Sequence, residues 1–157
     1  MYSLLVSSGA KINVMIDGFA ASAASYLAMA GDTISIAEGG FFMIHEARGA
    51  GSGTAADLEQ TAKVLRDVTD SIAGIYVSRT GIAKSTILDW MAEETWFDGP
   101  EAVERGFATA LIPNKRADAT AYGDAFENTP RELMQGESKL KNIVARADRI
   151  LEGARNT

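Results

Sequence analysis

Ser22 and His45 are the residues of this chain whose types can do chemistry together. Ser22 lies in IDGFAASAASYLAMAGD (Ile16 to Asp32), a few residues after a strand-like run and inside an alanine-rich stretch. A strand-to-helix turn there would expose its hydroxyl above the edge of a sheet, and the small neighbours leave room for a substrate carbonyl. A hydroxyl becomes a nucleophile when a base takes its proton and a third group holds that base in the right tautomer. His45 is the single histidine of the chain and the ordinary candidate for a base near neutral pH. The amide of Ala23, at the expected helix start, can donate to a developing oxyanion. Each of these residues also has a plain structural reading. A serine before an alanine helix is ordinarily a cap, and Ser25, one turn on, reads as a packing hydroxyl. A lone histidine at a strand end is usually structural, and Glu93 with Glu94 is ordinarily a solvated pair. Spacing alone does not choose between these readings; geometry does.

The elements that must position these side chains follow from periodicity. KINVMID (Lys11 to Asp17) predicts a buried strand, and Ala20 to Ala30, rich in alanine, predicts a tightly packed helix. Thr33 to Ala37 predicts a second strand ending in a Gly-Gly turn. Phe41 to Ala47 predicts a third, with His45 near its end. RGAGSGT (Arg48 to Thr54) reads as a flexible loop. A long helix follows, from a capping-box-like start at Thr54 and Asp57 to a stop at Gly81, spanning about 37 Å. Its stripe of Leu58, Ala62, Leu65, Thr69, Ile72 and Tyr76 is expected to meet another subunit, because a helix of that length projects from its own domain. Lys84 to Glu93 predicts a further helix. Asp98 and Glu101 form a capping box for a short helix closed by Gly106, before a last strand. Alternating elements of this kind indicate an α/β domain with a largely parallel sheet. Composition shifts after Pro113. Residues 114–157 read as a C-terminal extension, in which Leu140, Ile143, Val144, Ala147, Ile150 and Leu151 mark an amphipathic helix over about 138–152.

Bulk composition narrows the function classes. The chain has 157 residues, 46% of them hydrophobic, a formal charge of −6 and no cysteine. Its pI near 4.8 argues against nucleic-acid binding, which favours a basic face. No apolar run approaches the roughly 18 to 20 residues of a membrane span, and no signal peptide is read, so a cytoplasmic location is expected. Without cysteine and with one histidine, neither a metal nor an organic cofactor is expected.

GFAASAASYLAMAG (Gly18 to Gly31) and FMIHEA (Phe42 to Ala47) resemble the two signature blocks of the ClpP-type serine proteases. The glycine-rich loop, the long helix, GIAKSTILDWMAEETWFDGPEAVERG and the closing strand continue in the same order, so the resemblance covers about Tyr2 to Pro113. It implies a ClpP/crotonase-like α/β fold, with parallel β-sheet layers, flanking helices and the long helix as a projecting handle, in a protease domain over 1–113. It implies an endopeptidase in which Ser22 is the nucleophile and His45 the general base. The acid falls six residues before the proline of DGPEAVERG, at Glu94. Most such subunits carry aspartate there, and Asp98 is the fallback, although its capping role competes. Within the family, EETWF…EAVERG looks like the phage and prophage branch associated with capsid maturation. The implied partners are a polypeptide substrate and further copies of the chain in a homo-oligomeric ring, commonly heptameric and stacked in pairs through the handle. An ATP-driven unfoldase is the candidate further partner. Family members also carry an upstream glycine-rich turn that supplies the other half of the oxyanion hole. With 21 residues before Ser22, the chain is expected to begin beyond that turn. This departure, with glutamate for aspartate, motivates the alternative of a non-catalytic assembly protein. Crotonase-type acyl-CoA enzymes share the architecture but do not normally need a serine–histidine pair.

Overall fold

Two glycine breaks, at Asp17–Gly18 and Gly39–Gly40, pass the chain from one sheet to another. Before the first, β1 (Asn13–Ile16) lies in one sheet; after it, β2 (Phe19–Ala21) lies in a second. The second break repeats the move from β3 (Thr33–Ala37) to β4 (Phe41–Ile44). The Phe41 amide donates to the Gly18 carbonyl at 2.8 Å, so the two crossings lie against each other. These observations come from a computed structural model that describes residues 1–113 and 127–130. The chain divides into two compact units, Met1–Ala117 and Asp118–Thr157. In the second, the described residues are a turn at Glu127 and Asn128 followed by Thr129 and Pro130. The expected amphipathic helix over about 138–152 lies outside the described residues.

The first sheet has the order β1-β3-β6, with β6 at Ala110–Ile112, and both of its ladders are parallel. The second has the order β2-β4-β5, with β5 at Thr95–Asp98; β2 runs parallel to β4 and β5 antiparallel to it. The α/β architecture is as expected, with one antiparallel ladder added. One element differs. The alanine-rich stretch does not begin as a helix: Phe19–Ala21 is strand β2, and α2 covers Ala23–Ala28. Alanine favours helix intrinsically, but pairing Phe19 to Ala21 with β4 and burying Ala20 overrides that preference.

The long helix α3 (Ala55–Thr80) starts at the expected capping box of Thr54 and Asp57 and stops at Gly81, which is left-handed at φ 73°. Its 26 residues span about 39 Å. Only Thr69, Ala73 and Tyr76 are buried, while Leu58, Val64 and Val68 are exposed. The apolar stripe therefore sinks into the core at its C-terminal end and stands clear of it at the other. The expected flexible loop before α3 is laid back along that helix. Ala47 meets Thr69, Gly49 faces Leu65, Gly51 faces Thr61 and Gly53 faces Asp57. Two residues of extended chain advance about 6.6 Å and four of helix about 6 Å, so this pairing keeps step. Small residues allow the close approach.

Helices α4 (Lys84–Ala92) and α5 (Gly99–Glu104) flank β5, and α1 (Tyr2–Val6) precedes β1. The core is centred on rings: Phe107 stacks on Phe42 and on Phe97, both at 5.0 Å, with Tyr76 edge-on at 5.7 Å. Ile34, Ile36, Ile44, Ile87 and Met91 fill the space around them.

Two glycines test this description with opposite signs. A side chain at buried Gly99 would overlap the Ala37 carbonyl oxygen, so Gly99→Ala should lose about 1–3 kcal/mol in urea denaturation. Gly74 is an exposed helical position in α3 with open space around it, so Gly74→Ala should gain about 0.5–1 kcal/mol.

Candidate active site

The two ladders of β4 assemble the site. Parallel pairing of Ala21 with Met43 brings the C-terminal ends of β2 and β4 together. Ser22 and His45 follow those ends, and Ser22 Oγ lies 2.9 Å from His45 Nε2. On the other side of β4, Ile44 pairs with Thr95 in the antiparallel ladder. His45 and Glu94 flank that end of the ladder, one after β4 and the other before β5, and the Glu94 charge acts on the imidazole. Asp98 instead pairs with Phe41 at the far end of the ladder. Its carboxylate accepts from the Glu101 amide at 2.9 Å as the cap of α5. Of the two candidate carboxylates, Glu94 lies at the His45 end of the ladder and Asp98 at the other.

Ser22 is the N-cap residue of α2, yet its side chain makes no capping bond. Its backbone is at φ 57°, ψ −123°, a conformation that costs a non-glycine residue about 1–3 kcal/mol. Glu94 is also left-handed, at φ 51°. Among the described residues these are the two non-glycine positions with positive φ. Strain of this kind collects where a side chain must be aimed. The plain reading of Glu93 and Glu94 as a solvated pair applies to exposed Glu93 only, because Glu94 is 3% exposed.

Arg48 is the counter-ion that sequence reasoning missed. Its Nη2 lies 2.6 Å from Glu94 Oε2, with the arginine side chain about half exposed. A buried carboxylate requires such compensation. Nothing local in RGAGSGT signalled the contact, since it spans the fold from the loop after β4 to the turn before β5. Burial and, next, the Arg48 charge hold the His45 imidazole below its ordinary basicity. The Glu94 carboxylate and a backbone hydrogen bond at Glu46 work in the opposite direction.

Ser25 also does more than pack. Its Oγ donates to the Ser22 carbonyl at 2.6 Å and lies 2.7 Å from the Tyr76 hydroxyl. Both side chains are buried, and burial pushes the Tyr76 phenol well above its ordinary pKa. A tyrosine in the stripe expected to be buried was the available signal, because a buried phenol ordinarily finds a polar partner. Thr69 of α3 accepts from the Ala47 amide at 3.0 Å, tying the backbone after His45 to the same helix.

A cavity of about 260 Å³ opens over these groups, lined in part by Ser22, Ala23, Tyr26, His45, Arg48 and Ile72. Ala23 is exposed at the first position of α2, where backbone amides lack an intrahelical acceptor. Such an arrangement can take a carbonyl carbon beside a hydroxyl, a base beside that hydroxyl and an amide donor on the same turn. Among the described residues no cluster of three or more His, Asp or Glu side chains could hold a metal ion. No described helix is long and apolar enough to cross a membrane.

Comparison with known proteins agrees with this architecture. Proteolytic subunit 2 of the ATP-dependent Clp protease from Tropheryma whipplei (strain Twist) is 32% identical over 65 residues. That match covers 41% of this chain and 36% of the relative, so it spans little more than a third of that protein. The Clp protease family model matches residues 1–115, which include both strained turns, His45 and the whole of the long helix. On that extent of match, the chain belongs to the Clp protease family.

Proposed function

We propose that the chain is a serine endopeptidase of the ClpP type, with Ser22, His45 and Glu94 as its triad. The observation that carries this reading is the 2.9 Å approach of His45 Nε2 to Ser22 Oγ, from a serine whose hydroxyl does not cap its helix. Ser22 Oγ attacks the peptide carbonyl carbon while its proton passes to His45 Nε2. The Ala23 amide takes a share of the oxyanion charge. His45 then gives the proton to the leaving amine, and water hydrolyses the acyl-serine by the same route. Glu94 balances the imidazolium charge during each transfer. None of these steps requires a cofactor. The paired serine and histidine favour this chemistry over a crotonase-type acyl-CoA reaction.

The substrate class we assign is polypeptide, and the assembly a homo-oligomeric ring whose copies stack in pairs through α3. Clp protease family members form oligomeric rings, and the exposed Leu58, Val64 and Val68 give α3 an apolar face for another copy. The EETWF segment supports a role in phage capsid maturation, in the cytoplasm; an ATP-driven unfoldase is the corresponding candidate partner. A second reading, a non-catalytic assembly protein of the same fold, is favoured by the Arg48–Glu94 ion pair, which offsets the charge His45 needs. That reading predicts rings in sedimentation with no acylation of Ser22.

A fluorophosphonate probe decides between the two. It should attach to Ser22 and be lost in Ser22→Ala and in His45→Ala; labelling that persists in both variants removes the triad assignment. The pH profile supplies an independent check. His45 must be neutral to accept the proton, and its basicity is lowered from the ordinary value of 6.5. Labelling should therefore rise with pH and pass half-maximum below 6.5. Glu94→Gln removes a charge that raises the imidazole, so its midpoint should move lower still, with peptide kcat falling on the order of 10⁴-fold.

A further inference from the structure

The peptide between Ser22 and Ala23 is held from inside the protein by a directed hydrogen-bond chain. Ser25 has one hydroxyl proton, and a carbonyl oxygen can only accept, so the 2.6 Å contact to the Ser22 carbonyl uses that proton. The 2.7 Å contact with Tyr76 must then run the other way, with the phenol donating to Ser25 Oγ. Burial keeps that phenol protonated and able to donate. The Ser25 amide adds a second bond to the same carbonyl at 3.0 Å. Both lone pairs of the Ser22 oxygen are thereby engaged.

A trans peptide is planar, with its C=O and N–H pointing in opposite directions. Fixing the Ser22 carbonyl toward buried Ser25 therefore fixes the Ala23 N–H away from it, on the side where Ala23 lines the cavity. We infer that Tyr76 and Ser25 are positioning residues that aim the Ala23 amide, the oxyanion donor of the proposed reaction, by pinning the carbonyl of the same peptide. This inference rests on the peptidase reading only for the use made of that amide. The pinning itself is geometry. Without it, the strained Ser22 backbone at φ 57° is free to relax by rotating this peptide.

Tyr76→Phe removes the terminal donor and keeps the ring in the aromatic core; Ser25→Ala removes the middle link. The rate of fluorophosphonate labelling at Ser22 and the kcat and KM on an unstructured peptide are measured for each, beside the Ala23 amide resonance in a ¹H–¹⁵N spectrum. Each variant should slow labelling and kcat on the order of 10-fold with KM unchanged. That lies below the 10²–10³ expected for losing a donor outright. The double variant should be no slower than Ser25→Ala, because the links act in series, and Ser25→Thr, which keeps a hydroxyl, should recover most of the rate. The Ala23 resonance should move in both single variants. Unchanged rates, multiplicative losses in the double variant, or an unmoved Ala23 resonance would overturn the inference. If wild-type protein is not labelled at Ser22, the peptidase reading fails, and the Ala23 resonance alone decides the pinning. Where Tyr76→Phe does not fold, Ser25→Ala carries the same readouts.

Discussion

Strand β4 is paired on both edges, and the position of every group in the site depends on those two registers. The parallel ladder with β2 brings the turn at Ser22 beside His45, and the antiparallel ladder with β5 sets the turn at Glu94 beside it from the other side. A one-residue slip in either ladder would turn alternate side chains to the opposite face. Such a slip is opposed by burial, since Phe42, Met43 and Ile44 are all fully enclosed. The hydrophobic core therefore sets the precision of the polar site. Phe42 stacks on Phe107, which stacks on Phe97 of β5, so the ring cluster reinforces the same pairing.

Both strained turns are supported from behind by groups distant in sequence. The Ser22 carbonyl is held through Ser25 by Tyr76 of α3, and the Glu94 side chain is held by Arg48 from the segment after β4. Each strained backbone costs about 1–3 kcal/mol, and each persists because surrounding contacts outweigh that cost. Helix α3 thus has two roles along one length. Its C-terminal part is a buried strut for the nucleophile turn, and Thr69 anchors the backbone after His45. Its N-terminal part carries the laid-back glycine segment and an exposed apolar face.

The electrostatics around His45 are a balance between two charges that also neutralise each other. Glu94 supports the imidazolium, while Arg48 and burial oppose it. An ion pair at 2.6 Å between a buried carboxylate and a half-exposed arginine divides the field of the carboxylate between the guanidinium and the histidine. The arginine lines the cavity, so the strength of that competition is open to whatever occupies the space.

Local chemistry was legible wherever a few neighbouring residues decide the outcome. Thr54 with Asp57 and Asp98 with Glu101 each form the capping boxes their spacing predicts, and Gly81 ends α3 in the left-handed conformation only glycine adopts readily. Ser22 and His45 were identifiable by type and by their places near the ends of expected strands, although β4 stops at Ile44, short of the expected Ala47. Strand β2 was not legible, because its alanines favour helix in isolation and pairing with β4 reverses the preference. Nor was the ordered course of RGAGSGT, since its glycines meet Leu65, Thr61 and Asp57 only once α3 exists to receive them. Arg48 on Glu94 and Tyr76 on Ser25 join residues far apart along the chain, and no local pattern encodes such contacts. The sequence by itself determined which residue types could react, where the capping boxes start α3 and α5, and where Gly81 ends α3, through short-range hydrogen bonding and residue type. Only the tertiary structure decided which carboxylate lies at the histidine end of the β4–β5 ladder and what holds the serine turn, because both depend on strand register and on side chains meeting across the core.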